Sequence, residues 1–263
     1  MEGTSSVARV IISIALMLFL GFAMTRLTKK LKLPKVTAYI LAGVLLGPFC
    51  LNMVPGEIIE GMDFIADIAL AFIAFSTGEF FRLETLKRNG AKVVVVTLFE
   101  SCMASLLIFL MTYFILGIDL TFSLVLAALA AATAPASTLM TIRQTGAKGD
   151  FVDTLLQVVA LDDVVGLVAY SMAISIALAV NSGAFQASSM LKPLLVNAGV
   201  FLLGGVFGVG MKLLMPKKRS TDNRLIISVA TLFAFCGVCA LLDVSPLLGC
   251  MSMGTVYINN TDD

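Results

Sequence analysis

QVVALDDVVGLV, residues 157 to 168, sets two adjacent carboxylates, Asp162 and Asp163, inside a run otherwise apolar enough for the interior of a lipid bilayer. A charged aspartate at the centre of a membrane helix costs roughly 2.5 to 3.5 kcal/mol on insertion scales, and two neighbouring like charges also repel each other. Packing alone gives no reason to put them there. Successive residues of a helix diverge by about 100°, so at most one of the two points straight at a given ligand while the other faces an adjoining helix. The bland reading makes one of them a protonated link to a neighbouring helix. The sharper reading makes the pair a site that holds either a proton or a small cation, which needs no cofactor and no histidine; the chain has no histidine at all.

The surroundings of this stretch favour a membrane. Of the 263 residues 59% are hydrophobic and only 13% charged, and the mean hydropathy is +1.01, far outside the range of a soluble domain. No polar block is long enough for a separate soluble domain, so residues 1–263 read as a single all-α, polytopic membrane domain whose partner is the lipid bilayer. A net charge of +1, with no basic tract interleaved with aromatics, argues against nucleic acid. Five cysteines lie in or beside the apolar runs. Cys236 and Cys239 form a CxxC without a second pair or a histidine near it in sequence, and packing is the reading taken for them. No nucleophile with a base, no metal cluster and no phosphate-cradling glycine loop supports an enzyme.

Hydropathy and breakers predict about nine membrane segments: 7–25, 36–52, 62–81, 91–117, 120–142, 152–181, 193–215, 224–242 and 246–258. The first is kept as a spanning helix and not a signal peptide, because its positive charges follow it. The last reaches only ~20 Å at a helical rise of ~1.5 Å, less than a hydrocarbon core of ~30 Å. With the N-terminus outside, sixteen of the eighteen Lys and Arg residues fall on inner loops and their flanks: Arg26, Lys29, Lys30, Lys32, Lys35, Arg82, Lys87, Arg88, Lys92, Arg143, Lys148, Lys212, Lys217, Lys218, Arg219 and Arg224. Only Arg9 and Lys192 remain outside, a strong positive-inside bias. This orientation places Asp162 and Asp163 on the order of 17 Å deep, near the midplane.

The preceding segment carries a second irregularity, AALAAATAPASTLMTIRQTG. Pro135 is expected mid-span, clashing with the carbonyl of Ala131 and leaving that acceptor free. Thr133, Ser137 and Thr138 offer hydroxyls around the break. An interrupted helix exposes carbonyls and half-helix ends that coordinate a cation, which is tolerable at membrane depth only where it lines a cavity. Glu100, in VVVVTLFESCMAS, is a further candidate for an ion path or for a bond to a neighbouring hydroxyl. Glu79 and Arg82 read as an interfacial pair, and Asp63 and Asp67 as groups near the outer mouth.

These residues together resemble the monovalent cation/proton antiporter superfamily, and within it the bacterial sodium/proton antiporter branch. LPKVTAYILAGVLLGP (33–48) resembles the signature of its second helix, FIAFSTGEF its third-helix end, TAPASTLMTIRQTGAKG its crossed, interrupted helix, LLQVVALDDVVGLV its paired-aspartate helix, and VSPLLGCMSMG a later SP-LG-xxxG segment. The resemblance implies an elevator-type transporter of inverted repeats that dimerises. Residues 7–181 would form the first repeat, with core-type helices over 91–181, a linking helix at 193–215 and the start of a second, incomplete repeat at 224–263. Carried over by position, Asp163 would be the principal shared ligand for sodium and protons, Asp162 its partner and Thr133 a contributor at the break. Glu100, Ser137 and Thr138 would lie along the ion path. An Asp-Asp pair accompanies electrogenic sodium or lithium export, in the cell membrane.

Members of that family continue for roughly four more helices, with a second interrupted helix and a lysine that pairs with the first aspartate; this chain ends at TDD263 with no such lysine in a predicted span. The expectation is a fragment or truncated copy of a longer antiporter, or a subunit completed by missing C-terminal helices. The competing readings are therefore a transport-inactive membrane protein and, on the same fold, a potassium/proton efflux protein.

Overall fold

The computed structural model describes residues 6–182, 187–216 and 220–261. Lys217, Lys218 and Arg219, counted above among the inner basic residues, lie outside the described residues. The chain is helical, in the order α1 (Ser6–Lys30), α2 (Lys35–Leu46), α3 (Gly56–Gly61), α4 (Asp63–Gly78), α5 (Leu83–Leu110), α6 (Leu120–Leu129), α7 (Pro135–Thr145), α8 (Asp150–Ser182), α9 (Ala187–Leu214), α10 (Thr221–Leu241) and α11 (Leu247–Asn260). A π-helical turn, Met111–Ile115, continues α5.

Local chemistry sets the ends. Gly47 leaves the helical region with ψ 171 and stops α2, as the residue before a proline must lean to extended backbone. Gly117, at φ +64, turns the chain after the π-helical turn, and Asp119 caps α6 by accepting from the Phe122 N–H at 3.1 Å. Gly146, at φ +67, closes α7 through its N–H to the Ile142 carbonyl at 2.9 Å. Ser220 caps α10.

Among the described residues five helices are long and apolar enough to cross a membrane: Ala8–Lys30, Gly90–Ile115, Asp150–Leu178, Leu191–Leu214 and Thr221–Leu241. Helix length thus supports five full spans and not the nine expected. The second segment, 36–52, shrinks to the 12 residues of α2, since Gly47 and Pro48 end the helix although the apolar run goes on. The third ends at Gly78, not at 81. The fifth, 120–142, is two helices of 10 and 11 residues. Pro135 is not the mid-span kink expected: it opens α7, where a missing N–H costs nothing, and Ala131 already lies outside helix. The fourth begins at Leu83, not 91, because a charged stretch still makes helix while hydropathy registers only its solvent preference.

The chain divides into two compact units, Met1–Asp67 with Ala136–Ala147 and Ile68–Pro135 with Lys148–Asp263. In the first, α1 lies on α2, and Leu46, Val54 and Ile58 are buried against Val10, Leu16, Met17 and Leu20. In the second, α5, α6 and α8 pack together, α9 contacts α8, and α10 and α11 pack on α9. Its core holds Phe235, Leu232, Met211, Met253 and the thiols of Cys239 and Cys250, so the packing role read for Cys239 fits its burial. Backbones approach closely through glycine. A Cβ on Gly204 would overlap the Gly249 carbonyl, one on Gly254 the Phe75 carbonyl, and one on Gly78 the Met251 carbonyl; this is small-residue packing of the kind membrane helices use.

Candidate functional site

The 33 residues of α8 make a helix of about 50 Å, longer than a hydrocarbon core of ~30 Å. Its buried hydroxyls satisfy themselves: Thr154, Ser171 and Ser175 each donate to the carbonyl four residues back, at 2.7, 2.8 and 2.9 Å. Asp162 has no such recourse, because a carboxylate only accepts. It is 1% exposed, and it lies twelve residues past Asp150, ~18 Å along the helix.

What faces Asp162 comes from two other elements. Ser101 of α5 donates its hydroxyl to Asp162 Oδ1 at 3.1 Å. Glu100, next to it on α5, and Thr133 in the gap between α6 and α7 both lie within interaction range of the Asp162 carboxylate, and the Thr133 hydroxyl donates to Glu100 Oε1 at 3.5 Å. Asp162 Oδ2 has no hydrogen-bond partner; with Gln157 Oε1 it makes up the buried unpartnered side-chain atoms among the described residues. Two facing carboxylates and an unpartnered buried oxygen need a compensating positive charge, which a proton or a small cation supplies.

The break is held against α8 at a specific point. Gly166, one turn past Asp162, sits where a Cβ would come within 2.8 Å of the Ala132 Cβ. The absence of a side chain there lets the unwound residues 130–134 reach the carboxylates. Beside this contact a cleft of about 310 Å³ runs between α5, α6 and α8, lined by Ser101, Ala128, Ala131, Val165 and Ala169 among others. A second, polar recess of about 300 Å³ is formed by Glu79, Phe80, Arg82, Asp153 and Gln157, where Gln157 Nε2 donates to the Phe80 carbonyl at 3.5 Å.

Residues 11–262 match the sequence pattern of the family described as sodium/hydrogen exchanger, transmembrane. The chain belongs to the sodium/hydrogen exchanger family. A relative described as Probable Na(+)/H(+) antiporter 3, from Methanocaldococcus jannaschii, is 29% identical over 79 residues, which are 30% of this chain and 20% of the relative's length. The antiporter superfamily expected from the motifs is therefore the right one, and every candidate site residue falls inside the stretch that matches the exchanger family.

Of the residues singled out in the sequence, the structure of this family member brings together Asp162, Glu100 and Thr133. Asp163 follows on α8 and is half-buried, more open to its surroundings than Asp162. Ser137 and Thr138 lie in the first turn of α7, in the other compact unit, and Pro135 is the residue at which that helix starts. Glu79 and Arg82 share the polar recess with Asp153 and Gln157. Ser101 was not foreseen. Its neighbour Glu100 drew attention as a charge in an apolar run, whereas a lone serine in a membrane helix carries no comparable signal.

Proposed function

We propose that this chain carries the exchange site of a sodium or lithium/proton antiporter, at which a monovalent cation and protons compete for Asp163 and Asp162. The observation that carries the reading is the buried, unpartnered Oδ2 of Asp162, on a carboxylate within interaction range of Glu100 and Thr133 beside a broken helix. In this reading Asp163, the more accessible of the pair, loads the ion. Asp162, oriented by Ser101, shares the charge, and the Thr133 hydroxyl with the carbonyls of residues 130–134 replaces part of the cation's hydration shell. Alternating access is of the elevator type. The protein sits in the cell membrane with its N-terminus outside and works as a homodimer.

The test is cation-triggered proton movement in proteoliposomes containing this chain and a pH-sensitive dye, with an imposed acid interior and then added sodium, lithium or potassium. Sodium or lithium should alkalinise the interior, and Asp163→Asn should abolish the response while the protein still inserts and unfolds at the wild-type temperature. Undiminished exchange in Asp163→Asn would remove Asp163 from the site. A response to potassium alone would replace the substrate.

A further inference from the structure

The first compact unit holds a cleft that the exchange reaction does not use. It measures about 540 Å³ and is lined by Thr25, Arg26, Thr28, Lys29, Leu33, Lys35 and Gln144. Three of these seven residues are cations and none is a carboxylate. Like charges gathered in one concavity repel each other, so such a cleft is most stable with an anion in it. Gln144 spends its Oε1 on the Lys35 backbone N–H, at 3.0 Å, so its side-chain amide offers the cleft donors, and Lys35 is the first residue of α2, whose N-terminus favours negative charge.

Where the cleft lies decides the kind of anion. Arg26, Lys29 and Lys30 end the apolar span Ala8–Lys30, so the cations stand at the height of the lipid headgroups. Leu18, Phe22 and Arg26 follow at spacings of four on α1 and thus share one face. Leu18 is 69% and Phe22 59% exposed, and the Arg26 guanidinium rests over the Phe22 ring, 5.0 Å from its centroid. An apolar stripe leading to a fixed guanidinium matches an acyl chain leading to a phosphate. We propose that this cleft binds the phosphate of an anionic phospholipid, with the acyl chain along Leu18 and Phe22 and the headgroup among Arg26, Lys29 and Lys35.

The full chain in mild detergent tests this by thermal unfolding with phosphatidylglycerol, phosphatidylcholine or inorganic phosphate. Phosphatidylglycerol should raise the midpoint by roughly 3 to 6 °C, and the other two should not. The shift should vanish in the triple variant R26Q/K29Q/K35Q and persist in R26K/K29R/K35R and in Lys87→Gln, which lies outside the cleft. An equal shift from phosphatidylcholine, or from inorganic phosphate alone, would overturn the assignment to an anionic lipid, as would a full shift in the glutamine triple variant. Should that variant fail to fold, Lys29→Gln and Lys35→Gln are compared singly by native mass spectrometry. Each should retain less phosphatidylglycerol than the wild type, and unchanged retention overturns the proposal.

Discussion

Ser101 on α5 donates its hydroxyl to Asp162 Oδ1 on α8 across 3.1 Å, although 61 positions separate the two in the chain. The bond holds one carboxylate oxygen and leaves the other, Oδ2, buried without a hydrogen-bond partner. Glu100, the neighbour of Ser101 on α5, also lies within interaction range of the Asp162 carboxylate, so α5 meets the carboxylate from two adjacent positions.

Ser101→Ala follows directly. A hydrogen bond to a charged group contributes roughly 1.5 to 3 kcal/mol, and its loss here frees Asp162 to rotate. The half-saturating cation concentration for exchange should rise about tenfold or more, and the unfolding midpoint should fall by a few degrees, because the buried carboxylate loses a donor. Dye-monitored exchange in proteoliposomes at graded sodium measures it, and an unchanged half-saturation would mean that Ser101 only fills space.

Gly166→Ala tests whether the break must touch α8. The added Cβ would sit 2.8 Å from the Ala132 Cβ, so α8 and residues 130–134 must part. Overpacking of this kind costs roughly 1 to 3 kcal/mol, and exchange should weaken with stability. Ala132→Gly removes the atom that the new methyl meets. The double variant G166A/A132G should recover most of the lost midpoint and activity, a coupling between two sites that act through one contact. Losses that simply add would show that Gly166 matters for some other reason.

The glycines of the second unit divide by the same measure. A Cβ on Gly254 would overlap the Phe75 carbonyl, whereas one on Gly210 meets nothing within 4 Å. Backbone cannot swing aside as a side chain can. Gly254→Ala should therefore lower the detergent unfolding midpoint by several degrees, and Gly210→Ala should leave it level or raise it slightly, since alanine favours helix over glycine by about 1 kcal/mol. The reverse order would remove the case for close packing of α11 on α4.

How much of this was legible in the sequence depends on the range of the signal. The aspartate pair, Glu100 and the broken helix stand out because each violates a local rule for a membrane segment, and a local violation needs no knowledge of the fold. Helix ends were harder. The run 36–52 is apolar throughout, yet α2 stops at Leu46, because Gly47 and Pro48 act on the backbone while hydropathy speaks only of solvent. Residues 83–90 gave the opposite error, a charged stretch read as loop that the structure shows as the start of α5. Ser101 and the Gly166–Ala132 contact were out of reach, for each takes its meaning from a partner that is distant in the chain.

Pro135→Ala tests what keeps the helix broken. Proline at the first position of α7 costs nothing there, but its ring disfavours helical backbone in the residue before it. Residues 130–134 read AAATA, a sequence rich in the strongest helix former, so local propensity opposes the gap and Pro135 is what stops α6 from running on into α7. With alanine in its place a continuous helix becomes accessible. The carbonyls of the gap would then turn into the helix, and the Thr133 hydroxyl would leave Glu100. Exchange should fall by tenfold or more while the unfolding midpoint stays level or rises. Pro135→Gly, which also lacks the ring but resists helix by about 1 kcal/mol relative to alanine, should keep more of the activity. Wild-type exchange in Pro135→Ala would mean that packing against α8, and not the proline, holds the break open.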